Sequence, residues 1–211
     1  MTRLPLAREG YPLIGGAAAV TVLLALFGWT IPAVIGLVLT AFVLNFFRDP
    51  DRTGPTDPRL ILSPADGRVI KIAAVRDERF LNGDATLVSI FMSPLNVHVN
   101  RIPMSGRITD IRYNPGKYFR AFADKASLDN EQNAVLMEND HGRLCFVQIA
   151  GFLARRIVCY LQVGMSVERG QRYGMIMFGS RADIYLPPAA QVRVKIGERA
   201  YGGTTVIGEW P

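Results

Sequence analysis

The stretch "GMIMFGSRADIYLP" at residues 174–187 shows the pattern on which the fold depends: strand, break, strand. Two apolar runs with strand character stand on either side of Gly179 and Ser180. Glycine inside a strand pattern usually marks a bulge or a tight bend, and serine after glycine is ordinary turn chemistry. A structural bend is therefore the first interpretation, because a catalytic one also requires a base for the serine and a substrate.

Short runs of strand character continue through the rest of the chain after residue 60, separated by Gly, Pro, Asn and Asp. They lie at residues 68–75, 85–92, 107–113, 134–137, 144–150, 156–161, 193–196 and 204–207. Apart from a short candidate helix at residues 117–127, no long apolar stripe of helical period follows residue 50. The sequence predicts a mainly β fold, an antiparallel β domain of barrel or sandwich type over residues 60–211.

The N-terminal part is apolar, and residues 10–47 contain no charged side chain. Such a stretch can cross a bilayer once with tilt or twice as short helices. Because Gly28 and Pro32 interrupt it as a helix end and a helix start do, we predict a hydrophobic helical hairpin. Its helices are expected at residues 12–27 and 32–47, with a linker at residues 48–59, and a single tilted span stays open.

The charges that flank the apolar segment predict its orientation. Arg3 and Arg8 precede it, and Arg48 and Arg52 follow it. Positive residues on both sides predict that both ends, and with them the β domain, lie on the cytoplasmic side of the cell membrane.

The net charge of +6 suits a nucleic-acid surface and an anionic membrane equally well. A nucleic-acid groove would show Lys and Arg interleaved with aromatic residues, and the chain has no such run. The apolar segment therefore favours a membrane, and we expect no nucleic-acid partner.

The cysteines and histidines argue against a metal site. Cys145 and Cys159 stand in apolar, strand-like runs without a CxxC motif, which predicts buried free thiols. His98 and His141 are the two histidines of the chain, too few for a zinc ligand set, so a zinc peptidase is disfavoured and no metal is expected. His141, in "ENDHG", is interpreted as a surface turn residue.

Three residues are candidates for chemistry: Asp66 in "SPADGR", His98 in "SPLNVHVNRIP", and Ser180. Each alone has an ordinary structural interpretation, since Asp-Gly before a strand is most often a hairpin turn and a strand histidine is usually a surface or satisfied residue. A nucleophilic serine needs a base, and an imidazole base needs a third group that fixes its tautomer. The three residues would form such a set if the fold brings them together, which their spacing leaves open.

Four motifs, "SPADGRV", "FMSPLNVHVNRIP", "NEQNAV" and "FGSRADIYLP", follow the hydrophobic N-terminus. Together they resemble the short form of phosphatidylserine decarboxylase, including its archaetidylserine decarboxylase-like branch, across essentially the whole chain. The resemblance implies a proenzyme in which the Ser180 hydroxyl attacks the Gly179 carbonyl. Cleavage would leave a β chain of residues 1–179 and an α chain of residues 180–211, with Ser180 converted to a covalent pyruvoyl cofactor.

The same resemblance implies the reaction. The pyruvoyl group would form a Schiff base with the amine of phosphatidylserine in the membrane and act as the electron sink for loss of carbon dioxide, which leaves phosphatidylethanolamine. Lipids with ester-linked and ether-linked chains share this headgroup chemistry, so both stay open.

Site roles are also implied by the resemblance. Asp66 would orient His98, and His98 would deprotonate Ser180. Arg101 stands where longer family members carry a second histidine, so either His98 serves both cleavage and later proton transfer or Arg101 binds the lipid phosphate or carboxylate. Arg181 replaces the Thr of the long form, but the short branch commonly has Gly-Ser-Arg.

The α chain is too short to fold alone, so a non-covalent αβ heterodimer is expected, and further oligomerisation stays open.

A rival interpretation comes from "VGMSVERGQRYGMIMFGS", which also resembles a turn of lipoyl- or biotinyl-type carrier barrels. A carrier would need a modifiable lysine at a hairpin tip, which is lacking. A membrane-anchored β scaffold without chemistry would leave Gly179-Ser180 uncut.

Overall fold

The structure is a computed structural model that describes residues 5–116, 130–151, 156–177 and 180–211. The chain divides into two compact units, Met1–Asp51 and Arg52–Pro211, and the second is called the β unit below. The predicted short helix at residues 117–127 lies outside the described residues.

The N-terminal unit contains an apolar helix pair. A turn of 3-10 helix, Arg8–Gly10, leads into α1, Tyr11–Leu26, and α2 is Thr30–Phe46. Between the helices Gly28 has a φ of 73°, which glycine adopts without steric cost. The hydroxyls of Thr21 and Thr40 lie 3.0 Å apart and link the two helices. The predicted helical hairpin is confirmed, with helix bounds that differ by one or two residues.

The two helices differ in length. By length and composition the helical segment Arg8–Leu26 is able to cross a membrane, whereas Thr30–Phe46 is a shorter apolar helix. Most of their large apolar side chains are exposed, and an apolar surface of this size usually marks an interaction with a membrane or a partner.

The β unit is built from antiparallel strands. Their bounds in the described residues are β1 Leu60–Leu62, β2 Gly67–Asp77, β3 Gly83–Met92, β4 Val99–Arg101, β5 Gly106–Asn114, β6 Gln132–Asn139, β7 Gly142–Ile149, β8 Ile157–Cys159, β9 Ser166–Val167, β10 Arg172–Ile176, β11 Ser180–Leu186, β12 Gln191–Val192, β13 Arg199–Ala200 and β14 Val206–Glu209. The predicted mainly antiparallel β fold is confirmed.

Three sheets are formed in the described part. The largest has the order β13-β2-β3-β11-β7-β6-β5-β9, and the smaller ones have the orders β1-β14-β12 and β4-β10-β8. Alternate side chains of β11 point to opposite faces of the largest sheet. Ile184 and Leu186 belong to the main apolar core on one face, while Tyr185 belongs to a second apolar cluster on the other. Both faces of β11 are therefore buried.

Two predicted strands differ from the structure. Residues 193–196 are not a strand: β12 ends at Val192, and a turn at Gly197, with a φ of 92°, leads into β13. Val194 is buried but Ile196 is exposed, so the alternating pattern covers only one inward residue. The strand predicted at residues 204–207 is shifted to Val206–Glu209, because the chain turns before it pairs with β1 and β12.

Candidate active site

Ser180 is the first residue of β11 and lies in the interior of the β unit. It pairs with Met92 of β3, and the next residue, Arg181, also pairs with Ile149 of β7. The Ser180 hydroxyl is fully buried and lies 3.4 Å from the Met92 sulfur, a weak acceptor. Gly179, the predicted cleavage partner, lies outside the described residues. The strand pairing thus holds the serine at a defined place in the largest sheet.

His98 is also fully buried, next to the segment that leads toward Ser180. Its main-chain carbonyl accepts a hydrogen bond from Ile176, the last residue of β10, at 3.4 Å. Its ring Nδ1 lies 3.0 Å from the Asn96 carbonyl oxygen. A carbonyl can only accept, so Nδ1 of the neutral ring carries the proton and Nε2 keeps a lone pair. The buried Nε2 atom therefore has the electronic state of a general base.

A compact turn holds the carbonyl that orients His98. The Asn96 side-chain oxygen accepts hydrogen bonds from the Ser93 main-chain N–H at 2.9 Å and from the Ser93 hydroxyl at 2.8 Å. The Asn96 N–H donates back to the Ser93 carbonyl at 2.9 Å. Sequence reasoning missed Asn96, although asparagine in a Ser-Pro-Leu-Asn turn just before a histidine is a usable signal.

Asp66 is buried but lies in a different set of contacts. Its Oδ2 accepts from Arg52 Nη2 at 2.7 Å, its Oδ1 accepts from Arg52 Nη1, and Oδ1 also accepts from the Gly202 N–H at 2.8 Å. Arg52 Nη1 donates in turn to the Gly202 carbonyl at 2.9 Å. Within the described residues the hydrogen bonds of Asp66 go to Arg52 and Gly202, and none goes to His98. The Asn96 carbonyl is a group that orients the His98 ring in this structure.

Arg101 lies on β4, three residues after His98, and is buried. Its main-chain N–H donates to the Pro64 carbonyl at 2.9 Å, and its Nη1 donates to the Gly170 carbonyl at 3.1 Å. The side chain lines a cavity of about 540 Å³ in the β unit. Arg101 is therefore placed as a cation at a cavity wall.

A chain of buried amides runs from the Ser180 side of the sheet. The Met92 sulfur that lies beside Ser180 is also 4.0 Å from the Asn100 side-chain nitrogen. Gln148 Nε2 donates to Asn100 Oδ1 at 2.9 Å, and Asn133 Nδ2 donates to Gln148 Oε1 at 3.2 Å. Sequence reasoning assigned no role to these residues, although Asn133 belongs to the quoted "NEQNAV" motif. Buried amides bonded in this way hold each other's orientation.

Among the described residues, the other groups considered for chemistry are the two cysteines and His141, and they form no metal site. In the described ranges no three His, Cys, Asp or Glu side chains lie close enough to hold a metal ion. Cys145 is buried and Cys159 is half-buried, and burial raises the pKa of both thiols. The His141 ring stacks on Trp210 with centroids 6.1 Å apart, in the turn between β6 and β7.

Known proteins of one family are similar to this chain along most of its length. A model of the family described as "Phosphatidylserine decarboxylase" matches residues 39–208. A protein of Syntrophotalea carbinolica named "Phosphatidylserine decarboxylase proenzyme" is 49% identical, over 97% of this chain and 96% of its own length. Proteins with the same name from Geotalea uraniireducens and Ralstonia nicotianae are 46% and 49% identical, over 98% and 97% of this chain and 97% and 95% of their own lengths.

Proposed function

Because the chain belongs to the phosphatidylserine decarboxylase family, we propose that it decarboxylates phosphatidylserine to phosphatidylethanolamine with a pyruvoyl group made from Ser180. The relatives named as proenzymes support a precursor that is processed into chains. The carrier interpretation is not favoured, since the relatives that match nearly the whole chain are named as decarboxylases.

The observation that carries the mechanism is the state of His98. Its Nδ1–H is held by the Asn96 carbonyl, so Nε2 is left as the basic atom in a buried setting. We assign to Nε2 the removal of the Ser180 hydroxyl proton, after which Oγ attacks the Gly179 carbonyl and replaces the peptide bond by an ester. Elimination then releases the β chain with Gly179 at its end, and hydrolysis of the remaining dehydroalanine, with loss of ammonia, leaves the pyruvoyl group.

The burial and strand pairing of residue 180 are compatible with a pyruvoyl group at this position. Its position is buried, and the strand that it begins is paired on both sides with β3 and β7, so a new chain terminus there stays in place. When present, a pyruvoyl carbonyl supplies the electron sink that decarboxylation of an amino acid requires. Ser180 and His98 are both fully buried, which keeps bulk water away from both side chains.

Asp66 and Arg101 have supporting roles in this proposal. The Asp66 carboxylate holds the Gly202 N–H and the Arg52 guanidinium, so it acts through the position of the loop before β14. Arg101 is a planar cationic donor for an anionic part of the lipid. Both residues come from segments that the family resemblance identifies, "SPADGRV" and "FMSPLNVHVNRIP".

The two chains are proposed to remain together as an αβ heterodimer. The residues of β11 pair with β3 and β7, β13 pairs with β2, and β14 pairs with β1. All four of these partners precede the cleavage site, so the α chain keeps these four partners only by staying bound to the β chain.

The apolar N-terminal segment fits an enzyme whose substrate is a membrane lipid. We propose that residues 1–47 anchor the chain, that residues 48–59 link the anchor to the decarboxylase domain at residues 60–211, and that this domain faces the cytoplasm. Arg8 and Arg48, on the two sides of the helix pair, support this orientation.

Denaturing intact-mass spectrometry tests the proposal. The wild-type protein should give two fragments that divide between Gly179 and Ser180, and the smaller one should react with hydroxylamine as a carbonyl compound. Ser180→Ala should remain one chain and should release no carbon dioxide from phosphatidylserine vesicles. The exposed Ser166 gives a matched control, since Ser166→Ala should be cleaved like the wild type. An uncut, inactive wild type would overturn the proposal.

A further inference from the structure

Glu131 is a buried carboxylate with one oxygen that its protein contacts leave unsatisfied. The residue is 5% exposed and stands just before β6, in the "NEQNAV" motif. Its Oε1 accepts a hydrogen bond from the Tyr113 hydroxyl at 2.9 Å. Its Oε2 is also buried and has no hydrogen-bond partner among the described residues. A buried carboxylate oxygen without a donor is costly, and a ligand that brings a donor would remove that cost.

The strand register places Glu131 in one row with Ser180. Arg181 of β11 lies opposite Ile149 of β7, so the same register continued by one residue places Ser180 opposite Ala150. The Ala150 N–H donates to the Glu131 carbonyl at 2.9 Å, which continues the pairing of β7 with β6. Ala150 therefore lies between the other two residues. Neighbouring strands are about 4.8 Å apart, so the main chains of Ser180 and Glu131 are about 10 Å apart.

Ala150 points to the same face of the largest sheet as Ser180. It belongs to an apolar cluster with Met92 and Ala182, and the Met92 sulfur lies beside the Ser180 hydroxyl. Alanine carries only a methyl group, so no large side chain of this row stands between Ser180 and Glu131.

Tyr113 shows that the Glu131 side chain is on this face too. Tyr113 of β5 lies opposite Asn133 of β6, and Asn133 lies opposite Gln148 of β7. Gln148 lies opposite the second residue of β11 after Ser180. Residues directly opposite each other in antiparallel strands share a face, as do residues two apart on one strand. The carboxylate that accepts from the Tyr113 hydroxyl is therefore on the Ser180 side of the sheet.

The chemistry of this row favours a cation that carries N–H donors. A phosphatidylserine headgroup has an ammonium, a carboxylate and a phosphodiester, and a buried carboxylate attracts the first and repels the other two. In the proposed reaction the amine nitrogen must reach the carbonyl formed at residue 180. A glutamate side chain and a charge-assisted hydrogen bond of about 2.8 Å cover most of the distance along the row.

We propose that Glu131 binds the ammonium group of the substrate headgroup and so directs its nitrogen toward residue 180. This role rests on the proposed function, which supplies the identity of the substrate. It gives the site a residue that selects lipids with a primary amine, and Tyr113 is a positioning residue that holds the carboxylate through Oε1.

Lipid binding to the Ser180→Ala protein tests the proposal, because this chain keeps Glu131 and forms no pyruvoyl group. Full-length protein in a non-ionic detergent is titrated with short-chain phosphatidylethanolamine and, separately, with short-chain phosphatidylethanol. The second lipid has the same phosphodiester but a hydrogen in place of the ammonium. Phosphatidylethanolamine should bind about tenfold or more tightly than phosphatidylethanol, as expected for a hydrogen bond to a charged group.

Glu131→Gln in the same background should reduce this preference to about threefold or less, because the amide keeps the shape but loses the charge. The matched control is Glu138→Gln, at an exposed glutamate of β6, which should keep the full preference. Phosphatidylethanol should bind to Glu131→Gln at least as well as to its parent, which shows that the substituted protein is folded at the site.

Two results would overturn the proposal. One is equal affinity of the Ser180→Ala protein for the two lipids, a result that stands even if Glu131→Gln fails to fold. The other is an unchanged preference for phosphatidylethanolamine in Glu131→Gln.

The same substitution in the chain that keeps Ser180 separates this role from the proposed function. Glu131→Gln should cleave itself and react with hydroxylamine as the wild type does, while kcat/KM for short-chain soluble phosphatidylserine falls by about tenfold or more. A wild type that does not cleave would contradict the proposed function and leave the lipid preference of Ser180→Ala as measured. Normal cleavage with unchanged kcat/KM in Glu131→Gln would contradict the role of Glu131 alone.

Discussion

Arg181 and Asp183 form a buried ion pair on β11, the strand that begins at Ser180: Arg181 Nε lies 2.8 Å from Asp183 Oδ1, and Nη2 lies 2.9 Å from Oδ2. Their side chains are 2% and 1% exposed. Residues two apart on a strand point to the same face. Arg181 and Asp183 therefore lie on one face of β11, and Ser180, Ala182 and Ile184 lie on the other. Burial raises the pKa of Asp183, and the nearby Arg181 opposes that rise. Arg181, the residue after Gly179-Ser180, thus pairs with the buried carboxylate of Asp183.

Removal of Arg181 should be costly because it leaves a buried carboxylate without its partner. We expect Arg181→Met to lower the free energy of unfolding by about 3–5 kcal/mol, and Arg181→Met combined with Asp183→Leu to recover much of that loss. Denaturant unfolding in the Ser180→Ala background, where one chain unfolds, gives the values. The control pair is Arg193 and Glu209, 49% and 22% exposed, for which Arg193→Met should cost about 1 kcal/mol or less. Equal costs at the two arginines would contradict this account.

The base assignment predicts a difference between the two histidines. His98→Ala should slow self-cleavage by about 10²–10⁴-fold, because the Ser180 proton loses its acceptor. His141→Ala, at an exposed turn where the ring stacks on Trp210, should cleave at the wild-type rate. Time courses of fragment formation after synthesis of the proenzyme measure both rates. Fast cleavage in His98→Ala would show that another group takes the proton.

Changes in the turn that orients His98 should slow self-cleavage less than loss of the His98 side chain does. Asn96→Ala removes the acceptor of the Ser93 N–H and hydroxyl, which should loosen the Asn96 carbonyl and slow cleavage by about tenfold. Asn96→Asp keeps an acceptor oxygen and should restore most of the rate. If both variants cleave as slowly as His98→Ala, the side chain of Asn96 acts in the chemistry and not through the turn.

The buried phenol of Tyr185 predicts a pH effect on stability. Burial, with a smaller contribution from Asp183, raises its pKa to about 12, and an unfolded tyrosine titrates at about 10. The phenol therefore contributes stability fully below about pH 10, and the contribution is lost as the pH rises through about 12. Tyr185→Phe also loses the 2.9 Å bond from Arg79, so it should be less stable at about pH 8 but fall less steeply between about pH 10 and 12. Unfolding midpoints across this range, compared with the exposed Tyr201→Phe, check the difference; parallel curves for Tyr185→Phe and wild type would contradict it.

The proposed anchoring role of the apolar helix pair predicts that its removal affects turnover of lipid in vesicles but not self-cleavage. A chain without residues 1–47 should still cleave itself, because Ser180 and His98 belong to the β unit. Its turnover of phosphatidylserine in vesicles should fall, while turnover of a short-chain soluble phosphatidylserine should be kept. Equal turnover on vesicles with and without the helix pair would refute an anchoring role.

Much of the fold could be predicted because its signals are local. Short runs of strand character at residues 85–92 and 144–150, set between turn residues, predicted β3 and β7, and the uncharged run broken at Gly28 predicted α1 and α2. The strand predicted at residues 193–196 was wrong: the Arg193 N–H donates to the Ile207 carbonyl of β14, but the chain then turns at Gly197 before a strand forms. A sequence pattern shows that a segment is able to form a strand, but the strand forms only where another strand pairs with it.

The sequence by itself determined the strand-and-turn pattern, the apolar helix pair and the motifs that identify the family, since these depend on neighbouring residues and on unbroken runs. Only the tertiary structure decided which polar groups meet. It pairs Asp66 with Arg52 and gathers Arg101 and Arg172 at one cavity. The physical reason is that contacts between distant residues follow from strand register and side-chain direction, and a shift of one residue would turn each side chain to the other face.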